Sequence, residues 1–276
     1  MESEGLKQFL KSVGNSVFLL NTICVGLDGV ANGVVTKSDE LTISWNPRDP
    51  KATALSARAH AIKSSLVFVE ESLLNYISFI GNCANQSSSI QTACAADGAV
   101  EKITKLSKQV HNILPYWEPM VVLLIRWRNK IVHDSNTDLS AHYRKVLINH
   151  EADIRENHAA ISISETLNNF DSGRITLKDF STLIAITIRF IRHIDDELTP
   201  TISSIESFAA IINEKKLEVI YKNILGVNGK DNQERKFYKF INNNFPSISQ
   251  VDKEFLFINR FKVKEKIEQL YVQGIV

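Results

Sequence analysis

The stretch Val121-Val122-Leu123-Leu124-Ile125-Arg126-Trp127-Arg128-Asn129-Lys130-Ile131-Val132-His133 decides how this chain is read. It opens with five consecutive aliphatic residues and lies in a helix-compatible segment from Tyr116 to Val132. An apolar run this dense predicts a buried helix. The run then passes directly into arginine, asparagine and histidine, residue types that bind phosphate and move protons.

Outward from this segment, apolar spacing predicts further helices. Leu6, Phe9, Leu10, Val13, Val17, Leu20 and Cys24 recur at intervals of three and four, an amphipathic helix over Leu6 to Leu27 that ends near Gly26 and Gly29. Glu40 to Trp45 alternates polar and apolar residues and reads as one short extended piece before the turn signal Asn46-Pro47. From Lys51 to about Ile80, Leu55, Ala59, Ile62, Leu66, Val69, Leu73 and Ile77 form one stripe, the pattern of a central core helix. Gly81 to Gly98, rich in Ser, Asn, Gln and Ala, reads as a surface loop. A helical pattern over Glu101 to Leu114 stops at Pro115, which lacks the amide hydrogen a helix interior needs.

Beyond His133, the turn-rich Asp134-Ser135-Asn136-Thr137-Asp138 leads into a more polar helix from about Leu139 to Asn157. Thr176-Leu177-Lys178-Asp179 has the form of a capping box, with Asp in place of Glu or Gln, and opens a strongly apolar helix to about Leu198. Past Pro200 the pattern weakens into shorter pieces around Ile205 to Leu225, Glu234 to Asn243 and Lys253 to Val272, separated by Gly226-Val227-Asn228-Gly229 and Pro246-Ser247. The expected fold is all-α: a helical domain over residues 1–200 and a helical C-terminal extension over 201–276.

Composition narrows the function classes. The chain has 276 residues, 44% hydrophobic and 23% charged, with only 11 Gly and 6 Pro, which favours a helical globular protein. A net charge of +1 gives no global argument for binding a polyanion, so any RNA contact must be local. Basic residues outnumber acidic ones over Glu101 to Lys145 and from Lys215 onward, whereas Glu151 to Glu206 is acidic. This distribution would allow a basic groove beside the Arg-rich segment, with the C-terminal helices as an RNA clamp. Apolar runs fall short of the roughly 18 residues that predict a membrane span, and the acidic Met1-Glu2-Ser3-Glu4-Gly5 is unlike a secretory leader. Cys24, Cys83 and Cys94 lack C-x-x-C spacing, which argues against a disulfide framework or a zinc site and for a reducing cytoplasm.

Other chemistries find little support. Asn168 to Phe180 has a superficial likeness to a calcium loop, but Phe170 stands where an oxygen ligand is required. His60, His111, His142, His150, His158 and His193 form neither an H-E-x-x-H motif nor an i, i+4 pair, so no metal is implied. With no Walker loop, dinucleotide fingerprint or G-x-S-x-G elbow, no cofactor is implied either.

Arg128, followed at once by Asn129 and after four more positions by His133, resembles the R-x4-6-H motif of HEPN-domain ribonucleases. The stretch from Ala59-His60-Ala61 to Leu73-Leu74-Asn75-Tyr76, with Glu70 and Glu71, is similar to the helix preceding the motif helix in bacterial members of that family. The resemblance implies a HEPN-like helical bundle and a homodimer in which two motifs form one composite site. It further implies metal-independent cleavage of RNA to 2′,3′-cyclic phosphate, a toxin-like or antiviral-defence role, and an antitoxin or other regulatory partner. Arg128 would stabilise phosphate charge, His133 would transfer protons and Asn129 would orient.

Arg126 competes for the arginine role. On a regular helix Arg128 and His133 stand about 140° apart, whereas Arg126, Asn129 and His133 share a face at spacings of three and four. Two readings from other classes stand beside the enzyme. In one, the chain is a non-catalytic interaction module whose buried helix Tyr116 to Val132 serves a partner or dimer interface, Arg128, Lys130 and His133 being only a cationic helix end; in the other, a HEPN fold serves as a nucleotide sensor.

Overall fold

A computed structural model of the chain describes residues 2–83, 86–133, 137–198, 204–245, 248 and 250–272. Among these residues there are helices and no strand. The first half holds α1 (Glu4–Ala31), α2 (Pro50–Gly81), α3 (Ser88–Cys94), α4 (Ala99–Ser107) and α5 (Trp117–His133). Next come α6 (Ala141–Asn149), α7 (Glu151–Asn157), α8 (Ile163–Asp171) and α9 (Leu177–Leu198). The C-terminal part holds α10 (Ile205–Glu214), α11 (Glu218–Leu225), α12 (Lys230–Asn244), α13 (Gln250–Ile258) and α14 (Arg260–Val272).

Side-chain caps fix many of the starts. Ser3, Asp49, Ser87, Ser140, Ser162 and Ser204 each accept a hydrogen bond from a backbone amide in the first turn of the helix that follows. Pro50 opens α2, where its missing amide hydrogen costs nothing. The capping box ahead of α9 is formed as the sequence suggested. The Thr176 amide donates to Asp179 Oδ2 and the Asp179 amide donates to Thr176 Oγ1, each at 3.1 Å.

Those bonds lie within Asn168 to Phe180, the segment with a superficial likeness to a calcium loop. Asn168 to Asp171 completes α8, and Asp179 is buried, accepting from Thr166, Asn169 and Thr176. No group of His, Cys, Asp or Glu able to hold a metal occurs among the described residues.

The helices form two hydrophobic cores. The larger draws on α1 to α9, from Leu6 to Leu198, and α5 runs through it with Pro119 to Ile125 and Trp127 all buried. The dense aliphatic run is apolar on every side because α2, α4, α6 and α9 surround it. The smaller core is formed within α10 to α14 from Phe208, Tyr221, Phe237, Phe240, Phe245 and Phe257, among others. Gln86 links the two regions: its side chain donates to the Leu198 carbonyl at 2.7 Å, and its own carbonyl accepts from Lys215 Nζ at 3.5 Å.

Several sequence expectations are corrected. Glu40 to Trp45 forms no strand and lies in an exposed connection, having no neighbour with which to pair. The segment Gly81 to Gly98 is not all loop: α3 lies within it, burying Ile90, Ala93 and Cys94 at helical spacing. The helix before Pro115 ends at Ser107, well short of the proline, and Asn112 in the intervening turn has a φ of 55°. Leu139 to Asn157 is two helices, broken at His150, and Ile205 to Leu225 is broken at Lys216, whose φ is 54°. Lys253 to Val272 likewise divides, into α13 and α14. The turn residues Asp134 to Asn136, Pro200 and Pro246-Ser247 lie outside the described residues.

The first helix is also longer than its apolar pattern suggested. It continues through Gly14, Gly26 and Gly29 and is long and apolar enough to cross a membrane by length and composition. The sequence expectation missed this because Ser, Asn and Thr interrupt the aliphatic runs without adding charge. In the structure α1 packs lengthwise on α2. Gly5 permits the close approach, since a methyl group there would collide with the ring of Phe79.

A buried carboxylate anchors the start of α1. Asp195, fully buried in α9, accepts from the Ser3 amide at 2.9 Å, from the Ser3 hydroxyl and from the Tyr76 hydroxyl at 3.1 Å. Burial first, and then the charge of Asp195, hold the Tyr76 phenol well above its ordinary pKa, so it stays a donor. Asp195→Asn places an amide donor among three donors. It is expected to cost about 1–3 kcal/mol and to lower Tm by several degrees in a thermal melt.

Candidate active site

Three consecutive residues of α5 face three different helices. Arg126, half-buried, lies within electrostatic reach of Tyr143 in α6, whose hydroxyl donates to Glu118 at 2.6 Å. Trp127 is fully buried, edge-on to Phe170 of α8 with ring centroids 5.5 Å apart. Arg128 turns toward α2, where its Nε lies 2.5 Å from Oε2 of Glu70. One rigid helix thereby sorts two arginines into different surroundings. The Glu70 carboxylate and the Arg128 guanidinium form an ion pair between α2 and α5.

Arg128 and His133 are brought together. Nη1 of Arg128 lies 3.1 Å from Nε2 of His133 and donates to Oδ1 of Asn129, also at 3.1 Å. The 140° between the two positions on a helical wheel is bridged by the length of the arginine side chain. A guanidinium can only donate, so the ring nitrogen it meets is the unprotonated one, and the imidazole hydrogen belongs on Nδ1. His133 is exposed at the last position of α5. Arg126 and His133 share a face of α5, but a rise of about 10 Å over two helical turns separates them.

The partners of this trio divide by burial. Glu70 is 3% exposed, the only glutamate buried among the described residues, whereas Glu71 and Asn75 are exposed. Burial raises the Glu70 pKa, the Arg128 guanidinium offsets part of that rise, and the neighbouring Glu71 charge adds to it. Lys130 is committed elsewhere. Its ammonium donates to the carbonyls of Phe170 and Asp171, each at 3.0 Å, and lies over the Phe170 ring. Arg144 pairs with Asp138 at 2.6 Å and Asp171 at 2.5 Å. These bonds fasten the end of α5 and the residues beyond it to α8.

The remaining histidines are spread through the fold. His158 is buried between the Tyr116 hydroxyl and Arg189, and burial together with the Arg189 charge lowers its pKa. His193 meets the carbonyl of His111 at 2.6 Å, and His150 pairs with Asp153 at 3.2 Å. His60 lines a groove of about 480 Å³ between α1 and α2, with Leu19, Ile23 and Phe68 at its edges. Glu70 carried a sequence signal of its own: it is a carboxylate next to Val69 on the apolar stripe, between Leu66 and Leu73. The chain matches no protein-family model, no curated protein and no solved structure.

Proposed function

We propose that this protein is a metal-independent endoribonuclease of the HEPN type, working as a cytoplasmic homodimer with a toxin-like or antiviral-defence role. The observation that carries the reading is the 3.1 Å approach of Arg128 Nη1 to His133 Nε2, with Asn129 on the same donor, at an exposed helix end. Cleavage requires a base for the ribose 2′-hydroxyl, an acid for the leaving 5′-oxygen and a cation for the phosphoryl oxygens. A phosphoryl oxygen takes over Nη1 of Arg128, which frees Nε2 of His133 to receive the 2′-hydroxyl proton. The 2′-oxygen then bonds to phosphorus and the bond from phosphorus to the 5′-oxygen breaks, while the second protomer's His133, which enters the step as the imidazolium, gives its proton to the departing oxygen, so that one ring gains the proton the other loses. The products are a 2′,3′-cyclic phosphate and a 5′-hydroxyl. Three buried free cysteines are compatible with a reducing compartment.

The test is incubation of a mixed RNA pool with purified protein in excess chelator, alongside the oligomeric state by sedimentation. Cleavage by a dimer, leaving cyclic phosphate ends, is expected. Cleavage by a monomer would remove the composite site, and a chelator-sensitive reaction would remove the mechanism. A second reading is favoured by one observation: Leu19, Ile23 and Phe68 stand exposed around the α1–α2 groove, a surface suited to an interaction module. That reading predicts a folded protein inert towards RNA.

A further inference from the structure

We propose that Glu70 is the positioning residue of the Arg128–His133 pair. Its buried carboxylate fixes the guanidinium where Nη1 meets the histidine ring. The consequence for catalysis rests on the ribonuclease reading; the geometric part does not.

Three observations lead there. First, the other two carboxylates buried among the described residues, Asp179 and Asp195, are occupied by hydroxyl, amide and backbone donors and tie elements of the fold together. Glu70 instead faces a guanidinium at 2.5 Å. Second, a buried ion pair is a poor stabiliser, because removing both charges from water offsets most of their attraction. Core packing at this position would be served as well by an apolar pair, so stability alone does not account for a glutamate here. Third, Glu70 sits on a rigid base, since Leu66, Val69 and Leu73 around it on α2 are all fully buried. Arg128 is long and flexible and lies close to the exposed end of α5, so its direction must be imposed from outside. Charge from α2 imposes it, and Asn129 and His133 receive the result.

The experiment uses the full chain with Glu70→Gln, which keeps the shape and removes the charge. Two quantities are read. The first is the ring ¹⁵N spectrum of His133, assigned by comparison with His133→Ala among the 7 histidines. The second is RNA cleavage resolved into kcat and KM. In the wild type the His133 ring is expected in its Nδ1–H form. In Glu70→Gln it is expected to shift towards the Nε2–H form that a free imidazole favours in water, with kcat falling about 10²-fold and KM little changed. A merely structural ion pair would leave the ring spectrum as it was, and that result overturns the inference.

If the wild type cleaves no RNA, the ring spectrum decides alone, and the failure belongs to the ribonuclease reading. Cleavage by Glu70→Gln at the wild-type rate also overturns the positioning role. Should Glu70→Gln fail to fold, Glu70→Asp, which keeps the charge on a shorter arm, is read in the same two ways.

Discussion

His133→Ala is expected to slow metal-independent RNA cleavage by about 10²–10⁴-fold while leaving the thermal midpoint nearly where it is. The two halves of this expectation come from different facts. His133 is exposed at the last position of α5, where it meets Arg128 Nη1, so alanine neither opens a cavity nor breaks the helix. The imidazole is the one proton-transfer group in the trio, because a guanidinium stays charged and an amide does not titrate. The measurement is a single-turnover rate in excess chelator beside a thermal melt. A rate that survives the substitution removes His133 from the chemistry, whereas a large drop in the midpoint would give it a structural role instead.

Arg128→Ala is expected to be damaging in two ways that can be separated. Removing the cation leaves Glu70 buried without its partner. Breaking a buried pair in this manner costs about 3–5 kcal/mol, and the lower end applies because the Arg128 side chain is 25% exposed. The penalty has a pH signature. Burial already holds the Glu70 pKa above the ordinary 4.5, and loss of Arg128 pushes it higher. For a carboxylate raised in the folded state, the stability is fully present below the unfolded value and is lost as pH rises through the folded one. Urea unfolding should therefore show a small deficit for Arg128→Ala near the unfolded value and a large one at neutral pH. Adding Glu70→Gln to Arg128→Ala is expected to restore most of the stability and none of the cleavage. Equal deficits at both pH values would mean that Glu70 is not the group left exposed to the loss.

Much of the fold was legible from periodicity. The segments that became α1 and α2 carried long, regular apolar spacing, and those that became α5 and α9 were marked by dense apolar runs. The elements that escaped did so for identifiable reasons. The composition of α3 reads as loop because Ser, Thr and Gln fill its exposed face, although Ile90, Ala93 and Cys94 stand at helical intervals. The break at Lys216 is held by an unusual backbone angle on a residue type that gives no warning of it.

The candidate site was legible in part. Arg128, Asn129 and His133 could be named from spacing, but the wheel placed Arg126 nearer His133 in angle. Only side-chain reach and the charge on α2 separate the two arginines. Whether Glu70, Glu71 or Asn75 meets the site could not be read from composition, because all three lie on one helix and differ only in which way they turn.

The division of Arg126, Trp127 and Arg128 among three neighbouring helices makes this region intolerant of changes in length. Inserting a single residue between Met120 and Ile125 would rotate everything after it by about 100°. The indole of Trp127 would then turn towards Glu70, and the guanidinium of Arg126 towards the ring of Phe170. Point substitutions here alter one contact at a time, whereas an insertion or deletion of one codon would exchange all three surroundings at once.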